Sequence, residues 1–205
     1  MNNIIGVILA GGLATRMGGG DKCLQQLGDK TLLDRVIERA KPQVNQLLLN
    51  ANGDLSRFDH IALPKASDVV DGYAGPLAGL LTGMTWAREH CPNAQWLLSI
   101  AADTPFFPED LVSRLLAQAQ QQNAQIAVAE SGDKTHPVFG LWHLSLIDDL
   151  RTALVEEDIR KIFRWMKRHH WTAVHFPCID DIDPFFNINS PEDLARARAL
   201  YENQG

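Results

Sequence analysis

The chain has 205 residues, 45% hydrophobic and 21% charged, which suits one α/β domain with a sizeable core better than two domains. A formal net charge of −6 argues against a general nucleic-acid binder, whose surface has to neutralise many phosphates. The scattered Cys23, Cys91 and Cys178 form no Cys-x-x-Cys pair, and no His-x-x-x-His pair occurs, so neither a disulfide framework nor a thiolate zinc site is indicated.

Met1-Asn2-Asn3 lacks the basic residues of a signal peptide, and the apolar run from Ile4 to Ala10 is too short to span a bilayer. A cytoplasmic chain is expected, with no membrane partner. Ile4 to Leu9 reads as a buried parallel strand that stops at Gly11-Gly12. A glycine-dense loop runs on to about Asp21. Thr31 is placed to cap a helix bearing Leu32, Leu33, Val36, Ile37 and Ala40 on one face, closed by Pro42. Val44 to Leu49 reads as a second buried strand, ending at Asn50-Ala51-Asn52-Gly53.

A loop with Asp68 and Asp71 follows, and Gly75-Pro76 opens a helix to about His90, since proline suits the first helical turn. Trp96 to Ala102 is a third buried strand, ending at Asp103-Thr104-Pro105. Pro108-Glu109-Asp110 starts the next helix, with acids where the dipole favours them. Ile126 to Ala129 and Pro137 to Trp142 read as further strands. Helical patterns cover Ser145 to Leu154 and Ile159 to His169. A strand near Thr172 to Phe176 and the segment Phe185 to Ile188 precede a terminal helix begun by Ser190-Pro191-Glu192-Asp193.

This alternation predicts a single Rossmann-like α/β domain over residues 1–205, with a mostly parallel central sheet and helices on both faces. No linker, repeat or low-complexity tract divides it. Ligands of open parallel sheets bind beyond the carboxyl ends of the strands. Gly11, Asn50 and Asp103 each follow such an end, so all three are expected at one crevice.

Leu9 to Lys22 is the most informative segment. Five glycines in fourteen residues allow backbone N–H groups to approach an anion closely, and Arg16 and Lys22 add two cations. This suits a triphosphate, which needs several N–H donors and positive charge. A Walker loop is excluded because Lys22 follows Asp21 and precedes Cys23, and no register of the glycines completes Gly-x-Gly-x-x-Gly. The bland alternative is a glycine hairpin with solvated cations. Asp103, stiffened by Thr104-Pro105, is a candidate ligand for Mg²⁺, which takes one or two carboxylates plus phosphate oxygens and water; the competing role is a turn cap. Asp68 and Asp71 can accept from a nucleoside, and Asn50 offers both donor and acceptor for a base; ordinary loop acids and a strand terminator are the alternatives. Lys22 beside Cys23 is an arrangement that lowers a thiol pKa, but an inert cysteine is the expectation.

Leu-Ala-Gly-Gly (9–12), Arg-Met-Gly-Gly (16–19) and Asp-Lys (21–22) resemble the signature of the molybdenum cofactor guanylyltransferases. The likeness continues through Asn50-Ala51-Asn52, Asp68, Gly-Pro-Leu-Ala-Gly (75–79), Asp-Thr-Pro (103–105), His136-Pro137 and Asn187 to Leu194, spanning nearly the whole chain. The first signature is specific to a nucleotidyltransferase superfamily; the full series points to this member. The resemblance implies transfer of GMP from Mg-GTP to molybdopterin cofactor with release of pyrophosphate. It implies that Leu9, Ala10 and Gly11 hold the nucleotide through backbone groups and that Lys22 binds phosphate. Asn50 and Asp68 would contact guanosine, and Asp103 both GTP and Mg²⁺. Gly12, Arg16 and Gly19 match the rest of the phosphate loop, and His136, Asn187 and Asn189 match acceptor-facing segments.

Ala14 departs from relatives that carry a small hydroxyl residue there, which removes one phosphate contact and leaves the backbone donors. A nucleotidyltransferase using CTP is the nearest alternative. Cytidylyl relatives tend to read Leu-Ala-Ala-Gly, and Gly11 in place of alanine makes room for a purine. A non-catalytic nucleotide sensor on the same fold is a third reading, opposed by the presence of both Lys22 and Asp103. The basic, aromatic stretch from Arg160 to His170 is expected to be an amphipathic surface helix; docking of molybdoenzyme maturation proteins or of an acidic acceptor is its alternative.

Overall fold

The computed structural model describes residues 3–11, 21–70, 72, 75–179 and 182–202. The strands are β1 (Asn3–Leu9), β2 (Gln26–Leu27), β3 (Lys30–Thr31), β4 (Gln46–Asn50), β5 (Lys65–Ala66), β6 (Ala94–Ala101), β7 (Ile126–Ser131), β8 (Lys134–His143) and β9 (Trp171–His175). The α-helices are α1 (Leu32–Ala40), α2 (Pro76–His90), α3 (Leu111–Gln122), α4 (Ile147–Val155), α5 (Ile162–Met166) and α6 (Pro191–Glu202). Seven strands form one sheet in the order β5-β4-β1-β6-β8-β7-β9, while β2 and β3 make a separate hairpin. Every pairing in the large sheet is parallel except those of β8 with β6 and with β7. The expected mostly parallel sheet is what the chain forms.

Alternation along the buried strands sends side chains to two cores. Ile4, Ile8, Leu49, Leu98 and Ile100 pack with Leu33, Val36, Leu111 and Leu115 of α1 and α3. Ile5, Val7, Leu48 and Leu97 pack with Leu80, Leu81 and Met84 of α2 and with Leu150, Trp165 and Met166. Helices therefore cover both faces, as period-two burial on a doubly covered sheet requires.

Local signals fix the helix starts. Thr31 accepts from the Asp34 N–H at 3.1 Å while the Asp34 carboxylate accepts from the Thr31 N–H, a complete capping box. Ser190 and Asp193 make the equivalent pair before α6. Helix α2 lies almost against the sheet because Gly79 and Gly83 present no Cβ to it. A Cβ on Gly83 would sit 2.8 Å from Val7 Cβ, and one on Gly79 would collide with the Asn50 side chain.

Several elements differ from the sequence reading, and three of these differences have a local cause. Strand β4 begins at Gln46 rather than Val44, because the Asn45 backbone and side chain are occupied in joining Ile4. Strand β8 runs through Pro137: the β7–β8 register breaks between Val128 and Ala129, and a bulge tolerates a residue without an N–H. Helix α5 has only five residues, because Asp158 takes a positive φ of 51° and Lys161 is extended. Ile162, Trp165 and Met166 are buried while Phe163 is 39% exposed, so the helix is amphipathic with Trp165 rather than Phe163 on its buried face.

The tight α2–β1 contact is testable. Gly83→Val should cost about 1–3 kcal/mol by overpacking, roughly a 2–12 °C fall in the thermal midpoint of a chain this size. An unchanged midpoint in thermal denaturation would contradict the packing.

Candidate active site

Register brings the site together. Leu9 pairs with Asn50 on one side and with Ala101 on the other, so β4, β1 and β6 end at one level. Beyond these ends lies a cleft of about 340 Å³ lined by Leu9, Gly11, Asn50, Asn52, Asp68 and Asp103, with Gly75, Pro76, Ala101, Val138 and Asn187 completing the wall. Gly11, Asn50 and Asp103 thus share one crevice. Gly12, Arg16 and Gly19, and also Asp71, lie outside the described residues.

The backbone at the end of β1 is partly committed. The Ala10 N–H donates to the Asn50 carbonyl at 2.9 Å, and the Leu9 carbonyl accepts from the Ala102 N–H at 3.2 Å. Ala10 itself is buried, so these groups hold the strand end while Gly11 faces the cleft.

At one end of the site Lys22 forms an ion pair with Asp103, and its ammonium also donates to Asn189 Oδ1. The hydroxyl of fully buried Thr104 donates to Asn187 Oδ1 and lies 3.2 Å from Asp103 Oδ1. The Ile188 N–H donates to the Asp103 carbonyl at 3.1 Å. The segment before α6 is therefore fastened to the end of β6, and it carries Asn187 and Asn189 to the Lys22–Asp103 pair.

At the other end Asn50 Nδ2 donates to Asp68 Oδ1 at 2.9 Å. Asn52 grips the same residue twice: its Nδ2 donates to Asp68 Oδ2 at 2.7 Å, and its Oδ1 accepts from the Asp68 N–H at 2.9 Å. Thr82 of α2 accepts from the Val69 N–H at 3.0 Å. Asp68 is thus a carboxylate fixed by two amides rather than a solvated loop acid. Asn52, Thr104 and Arg57, which pairs with Asp21, were not picked out as site residues by sequence reading. The Asn-Ala-Asn repeat was a signal for Asn52, since two amides two residues apart fall on the same side at a strand end.

His136 does not line the cleft. It is buried, with Nε2 2.7 Å from Ser131 Oγ, and Ser131 donates to Asp183 Oδ1 at 2.7 Å. Phe185 packs on the imidazole with ring centroids 4.8 Å apart. In this position His136 supports the Asp183–Asn189 segment from beneath. Cys23 is buried, and burial together with Asp21 pushes its thiol up to about 12. It is inert at neutral pH, as expected.

A site for Mg²⁺ can be judged by its donors. Among the described residues no three His, Cys, Asp or Glu side chains converge, so an all-protein cage is absent. Two hard oxygen donors, the Asp103 carboxylate and Asn189 Oδ1, do converge on one cation, the Lys22 ammonium. That donor set suits an ion that completes its shell with phosphate oxygens and water.

Comparison with known proteins adds the lineage. Residues 6–171 match the family described as a MobA-like NTP transferase domain, so the class is nucleotidyltransferase and the chain is an enzyme. Relatives include the molybdenum cofactor guanylyltransferase of Nitrobacter hamburgensis, 51% identical over 95% of this chain and 93% of that one. That of Mesorhizobium japonicum is 46% identical over 98% and 97%. The chain belongs to the molybdenum cofactor guanylyltransferase family. Its fold is similar to that of molybdopterin-guanine dinucleotide biosynthesis protein A from Archaeoglobus fulgidus, with a TM-score of 0.75 over 97% of this chain and 99% of that one at 22% identity.

Burial holds His136 below its ordinary value of 6.5, outweighing the opposite pull of Asp183. The unfolded chain therefore takes up a proton that the folded chain resists, and the His136 contribution is complete above about pH 6.5 and lost as pH falls below it. Melting temperature should decline on acidification from pH 7 to pH 5, and His136→Gln should flatten that slope. An identical slope in the variant would contradict the assignment.

Proposed function

We propose that the chain transfers GMP from a metal-bound GTP to the terminal phosphate of molybdopterin cofactor, forming the guanine dinucleotide and releasing pyrophosphate. The observation that carries this reading is the meeting of Lys22 and Asp103 beside a cleft whose far end holds Asn50 and Asp68. A cation and a metal-competent carboxylate stand where phosphates would lie, and a fixed carboxylate stands where a nucleoside would lie. Leu9 and Gly11 line the cleft with buried Ala10 between them, Gly12 and Arg16 belong to the phosphate loop by sequence, and Asn187 and Asn189 complete the acceptor side. The divalent ion is Mg²⁺, held by Asp103. No helix among the described residues is long and apolar enough to cross a membrane.

The chemistry asks little covalent work of the protein. A terminal phosphate oxygen of the acceptor attacks the α-phosphorus of GTP in line; a P–O bond forms, and the α–β bridge breaks with its electron pair leaving on pyrophosphate. A phosphate nucleophile is already ionised at neutral pH, so no general base is required. Lys22 turns from Asp103 to the phosphates and neutralises charge that builds on their oxygens. Asp103 would hold a divalent ion through its carboxylate, and that ion would supply Lewis-acid stabilisation of the phosphoryl oxygens. Asp68 accepts from guanosine donors, and Asn50 supplies the complementary amide.

Gly11 supports a purine over a pyrimidine. It lines the cleft, and a Cβ built on it meets no atom of the described residues within 4 Å, so among these residues the space beside it is open to a ligand. Gly11→Ala should raise the KM for GTP while leaving that for CTP unchanged, read by pyrophosphate release with molybdopterin present. Equal effects on both nucleotides would remove Gly11 from base selection. Lys22→Ala and Asp103→Ala should each lower kcat by about 10²-fold or more, the scale of lost transition-state charge stabilisation. Near-native turnover in either variant contradicts the assigned role. Chelation should abolish turnover, and added Mg²⁺ should restore it.

A further inference from the structure

Arg57 lies in the short 3₁₀ turn Leu55–Phe58 that follows β4, outside the cleft lining. Every arm of its guanidinium is engaged. Nε pairs with the Asp21 carboxylate, Nη2 donates to the Asn52 carbonyl at 2.7 Å, and Nη1 donates to the Asp54 carbonyl. Its plane lies over the ring of fully buried Phe58, 4.6 Å from the centroid. A planar fork committed in this way is held in one place, and a lysine could not reproduce it.

The two ends of this fork belong to opposite halves of the nucleotide site. Asp21 precedes Lys22, and its backbone carbonyl accepts from the Leu24 N–H at 3.0 Å in the turn that carries Lys22. Asn52 is the residue whose side chain grips Asp68 twice. A continuous series of polar contacts therefore runs from Asp21 through Arg57 and Asn52 to Asp68. We propose that Arg57 is a positioning residue that couples the phosphate-binding and base-binding halves of the site, fixing the distance between Lys22 and Asp68 to that of one nucleoside triphosphate. It touches neither substrate. This inference rests on the assignment of Lys22 to phosphate and Asp68 to guanosine.

The coupling has consequences that mere structural support does not. Losing Arg57 frees both ends at once, so a nucleotide binds with one end misplaced. GTP, which uses both ends, suffers more than CTP, which does not match the Asp68 end. Arg57→Met should raise the dissociation constant of Mg-GTP roughly tenfold, with kcat at saturation changed less than about threefold, within the range of coupling between residues in one polar network. Asp21→Asn should act alike, and the double variant should be no weaker than either single one, because both break the same connection. Arg57→Lys retains a charge for Asp21 but cannot also reach the two carbonyls, so it should regain part of the affinity while the preference for GTP over CTP stays reduced.

The test is a double-mutant cycle on Asp21 and Arg57, read by calorimetric titration with Mg-GTP and Mg-CTP, with thermal midpoints taken in parallel. Non-additive losses together with a narrowed GTP preference support the coupling. Additive losses, or equal losses for the two nucleotides, overturn it. If Arg57→Met does not fold, Arg57→Lys decides: a GTP preference equal to the wild type overturns the proposal and a narrowed one supports it. Wild-type protein that fails to bind GTP would overturn the functional reading as well, whereas wild-type binding matched by Arg57→Met overturns the Arg57 role alone.

Discussion

Three parallel strands that end at one level create the place where chemistry can happen. Leu9 is paired with both Asn50 and Ala101, and the Ala10 N–H reaches back to the Asn50 carbonyl, so the ends of β1, β4 and β6 cannot move independently. The register is set by side chains that alternate between two filled cores, and a slip of one residue would turn each of them to the wrong face. Helix α2 can lie over these strands because Gly79 leaves space for the Asn50 side chain. The same packing that stabilises the sheet therefore orients a residue of the cleft.

On that platform the charges are arranged to be incomplete. Lys22 and Asp103 are each less than one-fifth exposed and satisfy one another. Part-buried opposite charges interact more strongly than solvated ones, so either partner left alone would be costly. A triphosphate with a divalent cation offers each a better counterpart: phosphate oxygens for the ammonium and a metal for the carboxylate. On the proposed reading the pair is a resting state that ligand binding would exchange for two new pairs of the same kind. Asn187 and Asn189 reach the same point because Thr104, Ile188 and the Ser131–His136–Asp183 network fasten the chain before and between them.

Much of this was legible in the sequence where a local rule acts alone. Thr31, Gly75-Pro76 and Ser190-Pro191 mark helix starts through capping and proline geometry, and each helix begins there. The strand ends were readable to within one residue, at Leu9, Leu49 and Ala102 against the observed Leu9, Asn50 and Ala101, because apolar runs stop at glycine or polar residues, and their convergence followed from parallel topology. What escaped depended on partners distant in the chain. Arg57 and Asp21 are 36 positions apart and meet only once the turn after β4 folds back. Nothing local marks Thr104 as the hydroxyl that holds Asn187, 83 positions later. His136 matched an acceptor-facing segment, and nothing local showed that the bulge in β7–β8 would carry the strand through Pro137 or turn the imidazole inward to Ser131. The β2–β3 hairpin was missed despite its Gly28-Asp29 turn, because two-residue strands carry no periodicity.

The central claim is that phosphates and a divalent ion lie between Lys22 and Asp103 while the base reaches Asn50 and Asp68. A crystal of this chain grown with GTP and Mn²⁺, the ion located by its anomalous scattering, measures this directly. The account predicts manganese against the Asp103 carboxylate, Lys22 turned to the phosphates, and guanine within hydrogen-bond reach of Asp68. Manganese or nucleotide bound away from the ends of β1, β4 and β6, with the Lys22–Asp103 pair intact, would contradict it.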